Sequence, residues 1–300
     1  MFGAQWLARV TALFVFFAFQ AYERHWLLSI RVGATLTRLS SLQSCDFEAS
    51  AAGSSLVAPK RYFDRSNPEL IDRPDFDSDS ILEELQALEQ SNRRLGGHVL
   101  VIEYVSRLIA ASGRKEFSIL DLGTGLADIP RALVAWGRGR QLSLRVTAVD
   151  SNPRVLGFAQ EACREWPEIN LEQNDMLSLP NPGDSFDLVL CSLALHHFTT
   201  TDAINLMRKM EDLARIGYVI NDLRRNWLAI VSTEILARTV IKQEALRHDA
   251  SYSCRAAFTV NELRAMAERA GLTNYRIRRH HLAFRMVLEG TKKPHAEFEN

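Results

Sequence analysis

The sequence has few of the features that would indicate a metal cluster, a disulfide framework or a nucleic-acid partner. It contains only four cysteines among 300 residues, and they are scattered without a C-x-x-C pair. This usage indicates a reducing compartment, so we expect a cytoplasmic protein with neither a disulfide framework nor a bound metal. Lysine plus arginine and aspartate plus glutamate both number 36. With no net charge and no basic run interleaved with aromatics, we also expect no nucleic-acid partner.

The longest apolar run near the N-terminus is too short to cross a membrane. It covers residues 10–19, whereas a spanning helix needs about 20 apolar residues. Its length suits the core of a signal peptide, but no small-x-small cleavage site follows it. Two interpretations remain, a dispensable extension or a segment that makes peripheral membrane contact. The Ser/Ala/Gly-rich stretch Ser40–Ser55 would then be a linker.

The most informative segment is Ser118–Pro130, where an apolar strand runs through two glycines into a helix. Gly123 and Gly125 permit a tight turn and a close approach of ligand to backbone. Asp121 precedes the first glycine by two residues, and its carboxylate would attract a ligand that carries an α-amino group and a sulfonium. The third glycine slot of a dinucleotide G-x-G-x-x-G fingerprint holds Asp128, which would repel a pyrophosphate. The segment therefore favours a cationic nucleotide-type cofactor.

A second apolar strand, Leu142–Asp150, also ends in a carboxylate. At the tip of the second strand of a doubly wound fold, Asp150 would accept hydrogen bonds from ribose hydroxyls. The alternative is an N-cap for the next helix, a role that Ser151 or Asn152 can fill instead. We favour the ribose contact.

These segments, taken in order with the later strand in Ser185–Phe198, resemble class I S-adenosylmethionine-dependent methyltransferases from roughly Arg61 to Gly290. The Leu-His-His-Phe sequence at Leu195–Phe198 is similar to the ubiquinone/menaquinone-biosynthesis branch. Five pieces resemble more closely a bacterial subgroup of uncharacterised methyltransferases: Pro68–Asp72, Asn92–Gly97, Asp128–Leu133, Asn221–Arg225 and Arg255–Thr259. The chain departs from the family pattern at Ala127, where a third glycine is common, but alanine is small enough for the turn.

The resemblance implies an α/β fold with a doubly wound, seven-stranded, mostly parallel sheet and an N-terminal helical cap. We expect an extension at 1–58, the cap or lid at 59–113, the catalytic domain at 114–290 and a polar tail at 291–300. The cofactor implied is S-adenosylmethionine. Its expected contacts are Asp121, Gly123, Thr124, Gly125, Asp128, Asp150, Ser151, Asp175, Met176 and Ser192, with Asp175 meeting the adenine amino group.

The cap is predicted to begin with a helix capped near Asp79 or Ser80, followed by a second helix from His98 to Ala111. In small-molecule methyltransferases such helices commonly lie over the open edge of the site. Four cap residues are therefore candidates to face an acceptor, or else to pack without touching it: Tyr62, Phe63, Asn92 and Arg94.

The resemblance to this subgroup implies a small aromatic, phenolic or quinone-like acceptor of secondary metabolism, with O-methylation favoured over C-methylation. A phenol would benefit from a base, and His197 is our leading candidate because it follows the fourth strand. His196 is the competitor and a candidate acceptor contact, since we expect only one of the two to face the pocket. Arg224 and Arg225 could hold an acceptor carboxylate or phenolate, or form ordinary salt bridges. His248-Asp249 is a further possible base with its acid, although we expect it in an exposed loop.

Two other classes of protein stay open from the sequence. A nicotinamide-dependent oxidoreductase is disfavoured by Asp121 and Asp128. It is also disfavoured by two predicted late strands, Thr273–Arg279 and Leu282–Glu289, which fit the antiparallel C-terminal hairpin of the methyltransferase family. The helix before them is predicted to begin with a capping box of Thr259 and Glu262. A non-catalytic cofactor-binding protein on the same fold is the second alternative, because fold does not fix function. The presence of Asp121 and Asp150 argues for an intact site.

Overall fold

The computed structural model describes residues 58–110, 112–179, 182–239, 241, 243–280 and 284–292. The predicted extension, up to residue 57, and most of the predicted polar tail lie outside these described residues. In the part that is described, no helix has the length and apolar character needed to cross a membrane.

Seven strands of the described chain form one sheet. The strands are β1 (Glu116–Leu122), β2 (Ser143–Asp150), β3 (Ile169–Gln173), β4 (Phe186–Ser192), β5 (Ala214–Leu223), β6 (Tyr275–His280) and β7 (Arg285–Thr291). Their order is β3-β2-β1-β4-β5-β7-β6, and β7 runs antiparallel to both β5 and β6. The order reverses beside β1, so the carboxyl ends of β1, β2 and β4 face a shared crevice. The predicted fold class and the C-terminal antiparallel hairpin are confirmed.

In the described chain, two helices precede β1 and the others lie between strands, three of them in succession after β5. They are α1 (Ser78–Arg94), α2 (Gly97–Ala110), α3 (Asp128–Arg138), α4 (Pro153–Ala162), α5 (Thr200–Leu213), α6 (Trp227–Thr239), α7 (Glu244–Ala256) and α8 (Val260–Ala270). Their ends follow local chemistry. In α8, Thr259 and Glu262 form the predicted capping box, and Gly271 ends the helix with φ of 84°.

Helices cover both faces of the sheet, because its central strands are apolar on both sides. On one face Tyr104 of α2 and Leu133 of α3 pack with Ile119 of β1. On the other, Met207 of α5 and Leu263 of α8 join the core that contains Leu120, the next residue of β1. Burying one such leucine stabilises the fold by roughly 1.5–3 kcal/mol.

Two local predictions are wrong. Helix α1 is capped by Asp77, whose side chain accepts from the Ser80 amide, and not by Asp79 or Ser80. The pair His248-Asp249 lies inside α7 instead of in an exposed loop, and Asp249 is buried. Asp249 shares the buried side of α7 with Tyr252 and Ala256, and the polar composition of this helix did not reveal that side.

Candidate functional site: a cofactor cleft and an adjoining histidine cluster

A narrow cleft lies between α1 and the loop that follows β1. Gly123 and Gly125 form its floor, and both have positive φ, 73° and 54°. A Cβ at Gly123 would stand 2.7 Å from the Cβ of Ala194, so a larger residue does not fit there. A Cβ at Gly125 would meet only Leu85, at 3.5 Å, because this glycine faces the open cleft. The two glycines therefore let a ligand lie directly against the backbone.

Asp121 lines this cleft and is 2% exposed. Burial raises the pKa of its carboxyl to about 7, and the charges of Asp128 and Asp150 add to the rise. Among the residues that the structure describes, no basic side chain pairs with Asp121. A buried carboxylate without a cation is unfavourable, and a bound ammonium group would relieve that cost.

Asp150 connects the ends of β1 and β2. One of its oxygens accepts from the Gly125 amide at 3.0 Å, and the other accepts from the Asn152 amide at 3.0 Å. Asn152, the alternative that the sequence left open, is the N-cap of α4, while Ser151 is exposed. The helix is thus capped by a neighbour, and Asp150 braces the glycine loop at the edge of the crevice.

Asp128 fastens the helical cap to the glycine loop. Its Oδ2 lies 2.7 Å from Nε2 of His98 and accepts from Nδ2 of Asn92 at 2.9 Å. Arg285, on β7, donates to Oδ1 of the buried Asn92 at 2.7 Å. Asn92, proposed from the sequence as an acceptor contact, is therefore part of the cap's attachment. The cap closes one wall of the cleft with Leu85 and Leu88 of α1.

The remaining predicted cofactor residues lie around the same edge. Thr124 and Ser192 line the cleft, and the Ser192 hydroxyl accepts from Nδ2 of Asn221 at 2.9 Å. Met176 reaches the floor, since its Cε would be 3.0 Å from a Cβ at Gly123. Asp175 is exposed and forms a turn with Leu177 and Ser178 after β3. Its contact with adenine stays a prediction.

The turn after β4 brings both histidines to one carboxylate. His196 Nε2 lies 3.5 Å from Oε1 of Glu69, and His197 Nε2 lies 3.7 Å from Oε2 of Glu69. On their other ring nitrogens, His196 meets Asp222 at 2.7 Å and His197 meets Asp72 at 2.8 Å. We expected one histidine to face the pocket, but the two rings converge, with centroids 4.4 Å apart.

The carboxylates around these rings control their protonation when no cation is bound. Burial lowers the pKa of His196, but Asp222 and Glu69 outweigh it and raise this pKa to about 10. Burial likewise opposes ionisation of Glu69, but His197 and His196 hold its pKa down at about 2. The pKa of His197 is also raised, since Glu69 and Asp72 outweigh its burial. A protonated imidazole cannot accept a proton, so base catalysis by His197 stays a prediction that requires the loss of that proton.

Arg61 holds the histidine turn in place and was missed as a site residue. It donates from Nη2 to the carbonyls of His196, at 3.0 Å, and Phe198, at 2.8 Å, while its guanidinium covers the ring of Phe258. Glu69 and Asp222 were also missed, although both lie in segments singled out for resemblance, Pro68–Asp72 and Asn221–Arg225. Those segments were the available signal.

The two arginines after β5 have different surroundings. Arg225 is 3% exposed and donates to the carbonyls of Pro59 and Ala257 and to Glu262. Arg225 therefore follows the salt-bridge alternative and not the acceptor contact, because its guanidinium anchors the N-terminal segment of the cap. Arg224 is half-buried, and its Nε has no hydrogen-bond partner within the described residues. It remains available for the predicted role.

Comparison with known proteins agrees with this geometry. Residues 119–217 match a family model described as a methyltransferase domain. An uncharacterized methyltransferase of Bacillus subtilis, YcgJ, is 31% identical over 107 residues, which make up 35% of this chain and 38% of that protein. The match therefore spans well under half of the length of this relative.

Two solved structures share the fold at low sequence identity. Human N-acetylserotonin methyltransferase, in complex with S-adenosylmethionine, superposes with a TM-score of 0.53 and 16% identity, covering 72% of this chain and 56% of that one. An O-methyltransferase family 2 protein from Planctomyces limnophilus, in complex with apigenin, superposes with a TM-score of 0.52 and 18% identity. This match covers 73% of this chain and 63% of that one.

The family match over residues 119–217 is to the methyltransferase domain family, and the sheet order and the glycine-loop cleft agree with that match. The family resemblance drawn from the sequence is confirmed.

Proposed function

We propose that this protein transfers the methyl group of S-adenosylmethionine to a small aromatic, phenolic or quinone-like acceptor, with oxygen as the favoured target. The observation that carries the proposal is the buried Asp121 carboxylate, which lines the glycine-floored cleft and has no basic partner among the described residues. A cofactor that combines a cation with a nucleoside satisfies such a site. The family of residues 119–217 supports the same chemistry.

The residues of the cleft fit this cofactor. Asp121 would hold the α-amino group, and Gly123 and Gly125 would let the amino-acid portion lie against the backbone. Asp150 would accept from the ribose hydroxyls, since each of its oxygens spends only one lone pair on a backbone amide. The cofactor supplies a methyl group already activated by the sulfonium.

The protein's own contribution would be alignment and exclusion of water. Placing an acceptor in line with an activated methyl can contribute about 7–11 kcal/mol of barrier lowering. Helix α1, fixed through Asp128 and Asn92, covers the cleft with Leu85 and Leu88. This lid supports a reaction shielded from solvent.

A second cleft supports a small, partly apolar acceptor. It lies between α1 and the start of α7 and has a volume of about 420 Å³, which is within the range typical of small-molecule sites. Leu70, Phe76 and Leu246 line it, together with Glu84. Burial, with Asp249 next, raises the pKa of Glu84 to about 9, so this carboxyl is neutral at pH 7. The apolar walls and the neutral carboxyl support a hydroxylated aromatic ring as the acceptor. The Planctomyces limnophilus structure, which shares the fold, was solved with apigenin.

The test is transfer of a labelled methyl group by the full chain to a panel of phenols and hydroxyquinones, beside an Asp150→Ala variant. We expect turnover of at least one acceptor and a large loss in the variant. A matched control is Asp184→Ala, an exposed carboxylate in a distant turn. Cofactor binding without transfer to any acceptor in the panel would overturn the acceptor class. Hydride transfer with a nicotinamide cofactor would overturn the proposal altogether.

A further inference from the structure

Glu69, His196 and His197 form a group of three potential metal ligands outside the cofactor cleft. The N–O separations of 3.5 Å and 3.7 Å are longer than normal hydrogen bonds. They are close to the spacing of about 3.3–3.5 Å that two ligands at 2.0–2.1 Å adopt around a tetrahedral metal. One ligand atom from each of the three residues lies within 4.8 Å of the others, so a small movement of the side chains would place all three around one ion.

Both imidazoles are oriented as metal ligands usually are. His196 is held by Asp222 through Nδ1, and His197 is held by Asp72 through Nδ1. A carboxylate on one ring nitrogen fixes the tautomer and leaves the other nitrogen to bind metal. The side chain of His196 is 4% exposed, and the oxygen of Glu69 nearest to its Nε2 is 3.5 Å away. A buried nitrogen is thus aimed into the group without a close partner.

The carboxylate ligand is also fixed. Ser253 donates to Oε1 of Glu69 at 2.6 Å, and Asp249 accepts from the amides of Leu70 and Ile71 at 2.9 Å and 3.1 Å. Arg61 secures the histidine turn through the carbonyl of His196. Three separate segments of chain are therefore held in place around the same point, as a preorganised site requires.

The charge around the group favours a cation. With both imidazoles neutral, the carboxylates of Glu69, Asp72 and Asp222 leave three negative charges. Arg61 is close, but its bonds are to backbone carbonyls and to the ring of Phe258. A divalent ion would compensate most of this charge without protonation of either ring.

We propose that Glu69, His196 and His197 bind one divalent transition-metal ion, with zinc as the best match to two imidazoles and one carboxylate. The fourth position stays open on the side of His197, whose side chain is 28% exposed. The sequence predicted no metal because its evidence concerned cysteines, and this ligand set contains none. The assignment does not depend on the proposed methyl transfer.

The experiment uses the tag-free full chain, stripped with a chelator and titrated with zinc sulfate against a chromophoric competitor. We expect one zinc ion per chain, and X-ray absorption with nitrogen and oxygen neighbours at about 2.0–2.1 Å and no sulfur. Glu69→Gln and His197→Gln should each weaken zinc binding at least about 100-fold. His248→Gln is the matched control, because His248 also pairs with an aspartate, Asp249, but lies outside the group.

Three results would overturn the site. These are no stoichiometric zinc at micromolar concentration, sulfur in the absorption spectrum, or equal losses in His197→Gln and His248→Gln. Circular dichroism establishes that each variant is folded. If Glu69→Gln does not fold, the partly exposed His197→Gln and the spectrum of the wild type decide the question. Zinc binding without methyl transfer would leave this site standing while the proposed function fails.

Discussion

The cofactor cleft and the histidine cluster lie at the same edge of the sheet but are built in different ways. The cleft floor comes from one continuous stretch, Asp121 to Gly125, with Asp150 as its brace. The cluster draws Glu69, His196 and Asp222 from three separate segments. The cleft leaves a carboxylate without a cation, whereas the cluster surrounds two imidazoles with carboxylates. A local motif can thus be recognised in a sequence, while an assembled site becomes apparent only in the fold.

Removing the carboxylate that holds His196 should have the largest effect on stability. In the metal-free protein, Asp222→Asn leaves a buried imidazolium with one partner fewer, which should cost about 3–5 kcal/mol of unfolding free energy. Chemical denaturation at pH 7 measures this loss. Glu168→Gln is the control, since its exposed pair with Arg138 should be worth less than about 1 kcal/mol. Equal losses in the two variants would contradict the account of the cluster.

The cluster should also give stability a characteristic dependence on pH. The pKa of His196 is raised from 6.5 to about 10 in the folded metal-free protein. Its contribution is therefore fully present below pH 6.5 and is lost as the pH rises through 10. Denaturation between pH 7 and pH 10 should show this decline in the wild type and a shallower one in Asp222→Asn. A flat wild-type profile above pH 7 would argue against a charged His196.

The floor of the cleft should not tolerate even one extra carbon. Gly123→Ala places a Cβ at φ of 73° and against Ala194, which should cost roughly 1–3 kcal/mol of stability and abolish cofactor binding. Gly157→Ala is the matched control, because no atom of the described residues lies within 4 Å of its Cβ position in helix α4. That control should gain roughly 0.5–1 kcal/mol of unfolding free energy, because alanine favours a helix more than glycine does. Unaltered cofactor affinity in Gly123→Ala would show that the ligand does not use this floor.

Because of Asp121, raising the pH through 7 should increase cofactor affinity but lower the stability of the unliganded protein. Since burial raises its pKa to about 7, a bound ammonium group must compete with a proton below that pH. Affinity measured by calorimetry should fall roughly 5–10-fold from pH 7.5 to pH 6.0. The same raised pKa means that ionisation destabilises the unliganded fold as the pH rises through 7, so Asp121→Asn should be more stable at pH 8. If Asp121→Asn bound S-adenosylmethionine as tightly as the wild type, Asp121 would not be a contact of the cofactor.

The attachment of the cap should contribute the smallest of these effects. His98→Ala removes the 2.7 Å contact with Asp128 and should lower the free energy of unfolding by roughly 1–2 kcal/mol. Limited proteolysis of α1 would detect the loosened cap. No change in cleavage rate or stability would mean that Asn92 alone attaches the cap.

The parallel sheet and the cleft could be predicted because their signals are local. An apolar strand followed by a positive-φ glycine turn has a recognisable pattern, as at Asp121–Gly125. The capping box of Thr259 and Glu262 is equally local, and it too was predicted. The partners of buried polar groups could not be predicted, because they lie far along the chain. Arg225 looked like an acceptor contact until the fold placed it against Pro59 and Glu262.

The same limit explains the histidines. The Leu-His-His-Phe sequence drew attention to the turn after β4, but no spacing rule connects it to Glu69 or Asp222. Asp128 shows the reverse case. Its position in the glycine motif suggested a cofactor contact, and the structure adds the cap residues His98 and Asn92 that it binds.

Calorimetric titration of the full chain with S-adenosylmethionine at pH 7.5, beside Asp121→Asn, decides whether the cleft binds this cofactor. We expect one site of micromolar affinity in the wild type and a loss of affinity of at least about tenfold in the variant, with both proteins folded. A folded wild type that binds no S-adenosylmethionine would show that the cleft is not a site for this cofactor.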